Sequence, residues 1–210
     1  LVGNAHAADV YIEGQISRGY IDDVDGSLNQ SVGGFNIDAT GVFSYEDSTS
    51  LGVEVGVIGL GGNPNLRFGL SYHQFDAELE AVDVNAALTF NGIVLATAAG
   101  RISREQLVAA GADIGDEAKS YSLNAYYDFT GSQQFIPYIG IGIGLADIEN
   151  TEDKELMLSG YLGANYSVTE NLYIGLRGSA RHVHGPTDLA GINYEDVVIY
   201  EVGAVTGIKF

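Results

Sequence analysis

Between Tyr200 and Phe210 the side chains alternate almost without error. Tyr200, Val202, Ala204, Ile208 and Phe210 share one face, with Thr206 as its polar member, and Glu201, Gly203, Val205, Gly207 and Lys209 share the other. Successive strand residues point to opposite sides, so this is a strand with one apolar and one mixed polar face. A strand of a transmembrane barrel must look this way, with lipid outside and a polar lumen inside.

The same period recurs in residues 9–20, 50–60, 66–75, 119–129, 135–146, 156–168 and 172–183. With the C-terminal segment this predicts eight strands, an even number, as a closed antiparallel barrel requires. The connections alternate in length. Residues 61–65, 130–134 and 169–171 are short turns, whereas 21–49, 76–118, 147–155 and 184–195 are long. Short turns on one side and long loops on the other are what such a barrel shows. Phe68, Phe129, Phe135, Tyr166 and Phe210 fall outward near the short turns, and Tyr20, Tyr72, Tyr121 and Tyr200 outward near the long ones. Two aromatic bands fit the two membrane interfaces. The expected fold is all-β: an eight-stranded antiparallel up-and-down transmembrane β-barrel.

Composition excludes several alternatives. No run of 18 apolar residues exists for a spanning helix, the richest stretch being the glycine-interrupted 135–146. A net charge of −19 repels phosphates and argues against nucleic-acid binding. Without cysteine there is no disulfide framework and no thiol chemistry. Ala5-His6-Ala7 has the small-x-small form of a signal-peptidase site, so residues 1–7 read as the remnant of an export signal and 8–210 as a single barrel domain.

The C-terminal strand ending on Phe210 and the segment Ile136-Pro137-Tyr138-Ile139-Gly140-Ile141-Gly142-Ile143-Gly144 resemble those of eight-stranded outer-membrane barrels of Gram-negative bacteria. The families in question are the opacity-type surface antigens and the barrel domain of outer membrane protein A, and the resemblance covers the whole mature chain. It implies residence in the outer membrane among lipids and lipopolysaccharide. It also implies insertion by the barrel-assembly machinery, which reads the terminal aromatic, so Tyr200, Val202, Ala204, Ile208 and Phe210 are the expected assembly signal. Fold alone does not fix function in such families.

Alternation also sorts the charges. Glu13, Glu54, Arg67, His73, Arg177, Arg181, Glu201 and Lys209 all fall on the inner face. Position along the strands predicts Arg181 beside Glu201, Glu54 level with His73, Glu13 and Arg177 in a lower layer, and Arg67 and Lys209 at the bottom. An eight-stranded lumen is just wide enough for side chains to fill it, and buried charges persist when paired, so a salt-bridged plug is expected. The inward Gly140, Gly142 and Gly144 make room for bulky lumen side chains such as Tyr126 and Tyr161. They lack the spacing and following helix of a nucleotide loop.

His182 and His184 form a two-residue metal motif with Asp188 the nearest third ligand, too few for a defined site. Ser179 faces away from His182, so no hydrolase triad is visible. Cofactors and enzymatic activity are not expected. In the second long connection, Asn91-Gly92 between apolar residues predicts a hairpin over 88–95, and 103–112 has helical composition. Most of the acid lies in the long connections: Asp22, Asp23, Asp25, Asp38, Glu46 and Asp47; Asp83, Glu105, Asp113 and Asp116; Asp147, Glu149, Glu152, Asp153 and Glu155; Asp188, Glu195 and Asp196. Such a ring favours weak divalent-cation association. The reading is a monomeric outer-membrane barrel with a structural or surface-interaction role carried by long acidic loops. The alternatives are a narrow outer-membrane channel and a soluble, lipocalin-like ligand-binding barrel.

Overall fold

The computed structural model describes residues 9–111, 115–129, 134–151, 153–189 and 191–210. Residues 1–7 and 130–133, expected as an export-signal remnant and a turn, lie outside this set, as do Asp113 and Glu152. The strands are β1 (Asp9–Ile21), β2 (Val24–Val32), β3 (Phe35–Tyr45), β4 (Ser48–Ile58), β5 (Leu66–Phe90), β6 (Ile93–Ser103), β7 (Gly115–Asp128), β8 (Phe135–Ile148), β9 (Glu155–Ser167), β10 (Leu172–Val183), β11 (Asn193–Tyr194) and β12 (Val197–Lys209). One helix, α1 (Arg104–Ala109), follows β6.

Eight of these strands close on themselves. β1 pairs with β4, β4 with β5, β5 with β7, and then β8, β9, β10 and β12 follow in turn, β12 returning to β1, all antiparallel. Register traced once round, from Glu13 through Glu54, Ser71, Ser122, Gly144, Met157 and Val183 to Val197, ends past the Ile21–Ile199 pair rather than back at Glu13. That stagger is the shear that closure imposes, and it tilts the strands to the barrel axis.

Each barrel strand carries out its alternation. Leu51, Ile141, Leu162, Leu176 and Val202 point outward and are 59–72% exposed, while Glu13, Glu54, Arg67 and Arg177 point inward and are at most 3% exposed. This is the reverse of a soluble carrier barrel. An apolar belt running round the whole ring is tolerable only against lipid.

The connections differ from expectation. Residues 21–49 hold the β2–β3 hairpin, turning at Gly33 and Gly34, both at positive φ. β5 runs on to Phe90 rather than stopping at Phe75, and turns into β6 at Asn91 and Gly92, again at positive φ, so the Asn-Gly hairpin forms as the sequence indicates. These strands make a second antiparallel sheet, in the order β11-β2-β3-β5-β6, standing above the barrel. Both of its faces meet solvent over much of their length, yet β3 still alternates, Phe35, Ile37, Ala39 and Phe43 on one face against Asn36, Asp38, Thr40 and Ser44 on the other.

Candidate functional site: the filled lumen and the sheet above it

The lumen is built in layers. In the lower one, Arg177 Nη2 lies 2.6 Å from Glu13 Oε1, and Arg67 Nη1 lies 3.5 Å from Glu13 Oε2, which also accepts the Tyr173 hydroxyl at 2.9 Å. Arg177 further donates from Nε to the Tyr138 oxygen at 2.9 Å and from Nη1 to Gln15 Oε1 at 3.1 Å. Arg67 reaches Asp128 at 3.4 Å, and its guanidinium carbon stands 4.4 Å from the Tyr126 ring centre and 4.8 Å from that of Tyr138. Glu54 accepts the Tyr126 hydroxyl at 2.6 Å, the Asn124 amide at 2.7 Å and the Tyr11 hydroxyl. In the upper layer Arg181 Nη2 lies 2.9 Å from Glu201 Oε2, which the Ser179 hydroxyl meets at 3.0 Å, while Ser50 bonds the other oxygen.

One expected juxtaposition is absent. Glu54 sits opposite Ser71, and His73 opposite Gly52, one layer nearer the long connections. The His73 ring fills the space above Gly52, and its Nδ1 is 3.0 Å from Arg181 rather than near Glu54. Lys209 lies near the bottom, on the same side as Arg67 and Asp128, with its ammonium 5.5 Å over the Tyr173 ring. The arrangement brings Glu13 together with both Arg177 and Arg67, so the lower pairs form one cluster.

The polar partners Tyr11, Gln15, Asn124, Asp128, Tyr138 and Tyr173 complete the lattice around these charges. Their signal was present, since each has the inward parity of its strand. The glycines under them follow from the same crowding. A Cβ at Gly140 would strike the Tyr126 ring, one at Gly142 would meet Asn124 and Tyr161, and one at Gly163 would meet Tyr138. Gly144 differs, because a Cβ there would strike the backbone at Tyr121.

At the long-connection rim, Asp196 takes the role assigned to Asp188. His182 Nε2 and His184 Nδ1 lie 3.3 and 3.0 Å from its carboxylate, and the Gly185 N–H donates to it at 2.9 Å. That N–H first, and the two histidines after it, hold the Asp196 carboxyl below its ordinary value. Asp188 instead accepts the Ile192 N–H at 2.8 Å within its own loop. Among the described residues no three His, Asp or Glu side chains gather to hold a metal ion. Ser179 is buried in the lumen and donates to Glu201.

Above the rim, β6 is the sheet's outer edge. Ile93, Val94 and Leu95 are 54–66% exposed, and residues 93–100 carry no charge. α1 opens with a capping box, the Ser103 N–H donating to Gln106 Oε1 at 2.9 Å. Arg104 then anchors the helix to the sheet's base through Glu46 at 2.9 Å and Glu78 at 2.6 Å. Those two bonds raise its pKa above the ordinary arginine value.

The family model described as "Surface antigen" matches residues 4–205. The chain belongs to the surface antigen family. The fold agrees with that of Neisserial surface protein A, at a TM-score of 0.60 and 14% identity over 98% of this chain and 100% of that one. It also agrees with that of the outer membrane protein AlkL in lipid bilayers, at 0.50 and 12% identity over 100% of this chain and 93% of that one. No curated protein matches in sequence. As a surface antigen barrel, the protein resides in the bacterial outer membrane, with its apolar belt in the hydrocarbon and its ionic lattice in the lumen.

Proposed function

We propose that this surface antigen barrel is a sealed anchor whose work is done by the sheet, helix and acidic connections held above it. The observation that carries the reading is the contrast between a lumen whose charges are consumed by one another and a β6 edge whose hydrogen-bonding groups and apolar side chains are left to solvent. An edge that is open on one side and uncharged over residues 93–100 is a template for strand addition by another chain. The protein acts as a monomer and not as an enzyme. Lipid and lipopolysaccharide surround it, and divalent cations associate diffusely with the acidic connections. The outward row Tyr200, Val202, Ala204, Ile208 and Phe210 serves the assembly machinery; deleting Phe210 lowers the amount of folded protein in the membrane, and unchanged levels refute that role.

Two measurements test the anchor reading. Purified protein in a planar bilayer gives no discrete conductance steps; steps that persist when Glu13 and Arg177 are intact identify a channel instead. Replacing residues 79–102 by a short turn leaves a folded barrel but removes binding of cells to a surface or to one another. Retained binding in that variant sinks the role of the sheet.

A further inference from the structure

The inner wall changes chemistry along its axis. Above the Arg181–Glu201 layer it turns apolar: Ile21, Val24, Phe75 and Ala77 form one buried cluster, and Ala146, Met157 and Val183 another, with Val197 and Ile199 packed against both. Ile21, Val24, Phe75 and Ala77, with Val197 and Ile199, border a cavity of about 120 Å³ at the mouth of the barrel. Two positions below Phe75 and beyond Ile199 on the same inner faces stand His73 and Glu201, both in contact with Arg181. Two of the connections that border the cavity are tied to each other: Thr151 bridges to Asp188, and the Leu189 N–H donates to the Asn150 oxygen at 2.9 Å.

Protein interiors pack closely, and an apolar void of roughly 150 Å³ stays free of water yet accepts a benzene ring. The mouths of barrels are recurrent places for such sites. The rim supplies the second constraint. Glu149 and Asp188 border the cavity, and the connections around it are acidic. A carboxylate or phosphate head is repelled there, and a cationic one is drawn in.

We infer that this cavity binds a small amine with a single aromatic ring or a short alkyl chain, the apolar body among Ile21, Val24, Phe75 and Ala77 and the ammonium at the Glu149–Asp188 rim. The site does not depend on the surface-interaction reading above.

The test uses the full chain in phosphatidylcholine nanodiscs, because detergent tails compete for the same cavity, with empty nanodiscs as the blank. Phenethylamine and 3-phenylpropionate have the same body and opposite heads. Titration followed by ligand-observed NMR shows saturable binding of phenethylamine, at least about tenfold tighter than 3-phenylpropionate. Ala77→Leu fills the cavity and weakens the amine by about tenfold or more, while the shift between heated and unheated electrophoretic mobility verifies that the barrel is folded. Should Ala77→Leu fail to fold, Ala118→Val, which narrows the same cavity more gently, is judged by the same criterion. Glu149→Gln reduces the preference for the amine without removing binding of the ring. The inference is overturned if phenethylamine does not saturate, if the folded filled variant binds as wild type, or if the carboxylate binds equally well.

Discussion

β5 is one continuous strand that lives in two environments. Its lower half, from Leu66 to Phe75, is paired on both sides within the ring by β4 and β7. Arg67, Ser71 and His73 are buried there, while Leu70 is exposed on the lipid side. Its upper half is paired by β3 and β6, and the two-faced pattern decays: Ala81 and Val82 are consecutive and both buried, beside an irregularity at Ser44 and Tyr45. Ring closure leaves no edge and crowds the inward charges against one another. The open sheet above has an edge and solvent on both faces, so its side chains are held by little beyond backbone pairing. Substitutions in the two halves of the molecule should therefore differ in cost.

The largest effect is expected at Glu13. Removing its carboxylate leaves Arg177 buried without a carboxylate partner and Arg67 with Asp128 alone, so Glu13→Ala destabilises by about 4 kcal/mol, read by urea unfolding in lipid vesicles. A loss comparable to that of an exposed pair contradicts the clustered lumen. Arg181→Ala follows at about 3 kcal/mol, because it strands Glu201. Adding Glu201→Ala recovers part of that loss, whereas strictly additive losses in the double-mutant cycle deny the coupling.

Glycine gives a sharper version of the comparison. Gly52→Ala drives a methyl into the His73 ring and costs about 1–3 kcal/mol. At Gly100, on β6, a Cβ has nothing within 4 Å, so Gly100→Ala is neutral or slightly stabilising. Equal effects at the two positions break the distinction between ring and sheet. Arg101 bonds Asp83 at 2.9 Å on the sheet but is half exposed, so Arg101→Ala changes stability by less than about 1 kcal/mol, and by less still at high salt.

The smallest effect belongs to the rim. The folded-state pKa of Asp196 is depressed below 3.8, so its bond to Gly185 is intact above the unfolded value and is lost as pH falls through the folded one. Exchange of the Gly185 amide proton, corrected for intrinsic pH dependence, should rise only at the acid end of that window. A rise near neutral pH contradicts the assignment of that bond to Asp196.

Alternation with period two is a local property, and the sequence alone determined what depends on it: the eight ring strands, which face of each meets lipid, the aromatic bands, and which charges point inward. The Asn91-Gly92 hairpin and the helix after Ser103 were legible for the same reason, since turn and cap chemistry act over a few residues. The β2–β3 hairpin was legible too, from Gly33-Gly34 at its turn and from Phe35, Ile37, Ala39 and Phe43 alternating with Asn36, Asp38, Thr40 and Ser44, although residues 21–49 were expected as a long connection. Only the tertiary structure decided which inward groups meet. Glu13 finds Arg177 from the far side of the chain, and His73 finds Arg181 rather than Glu54. Those distances are set by the stagger accumulated round the closed ring and by glycines that let one ring slide over the next strand. Neither quantity is written in any single segment, because both arise only when the last strand pairs with the first.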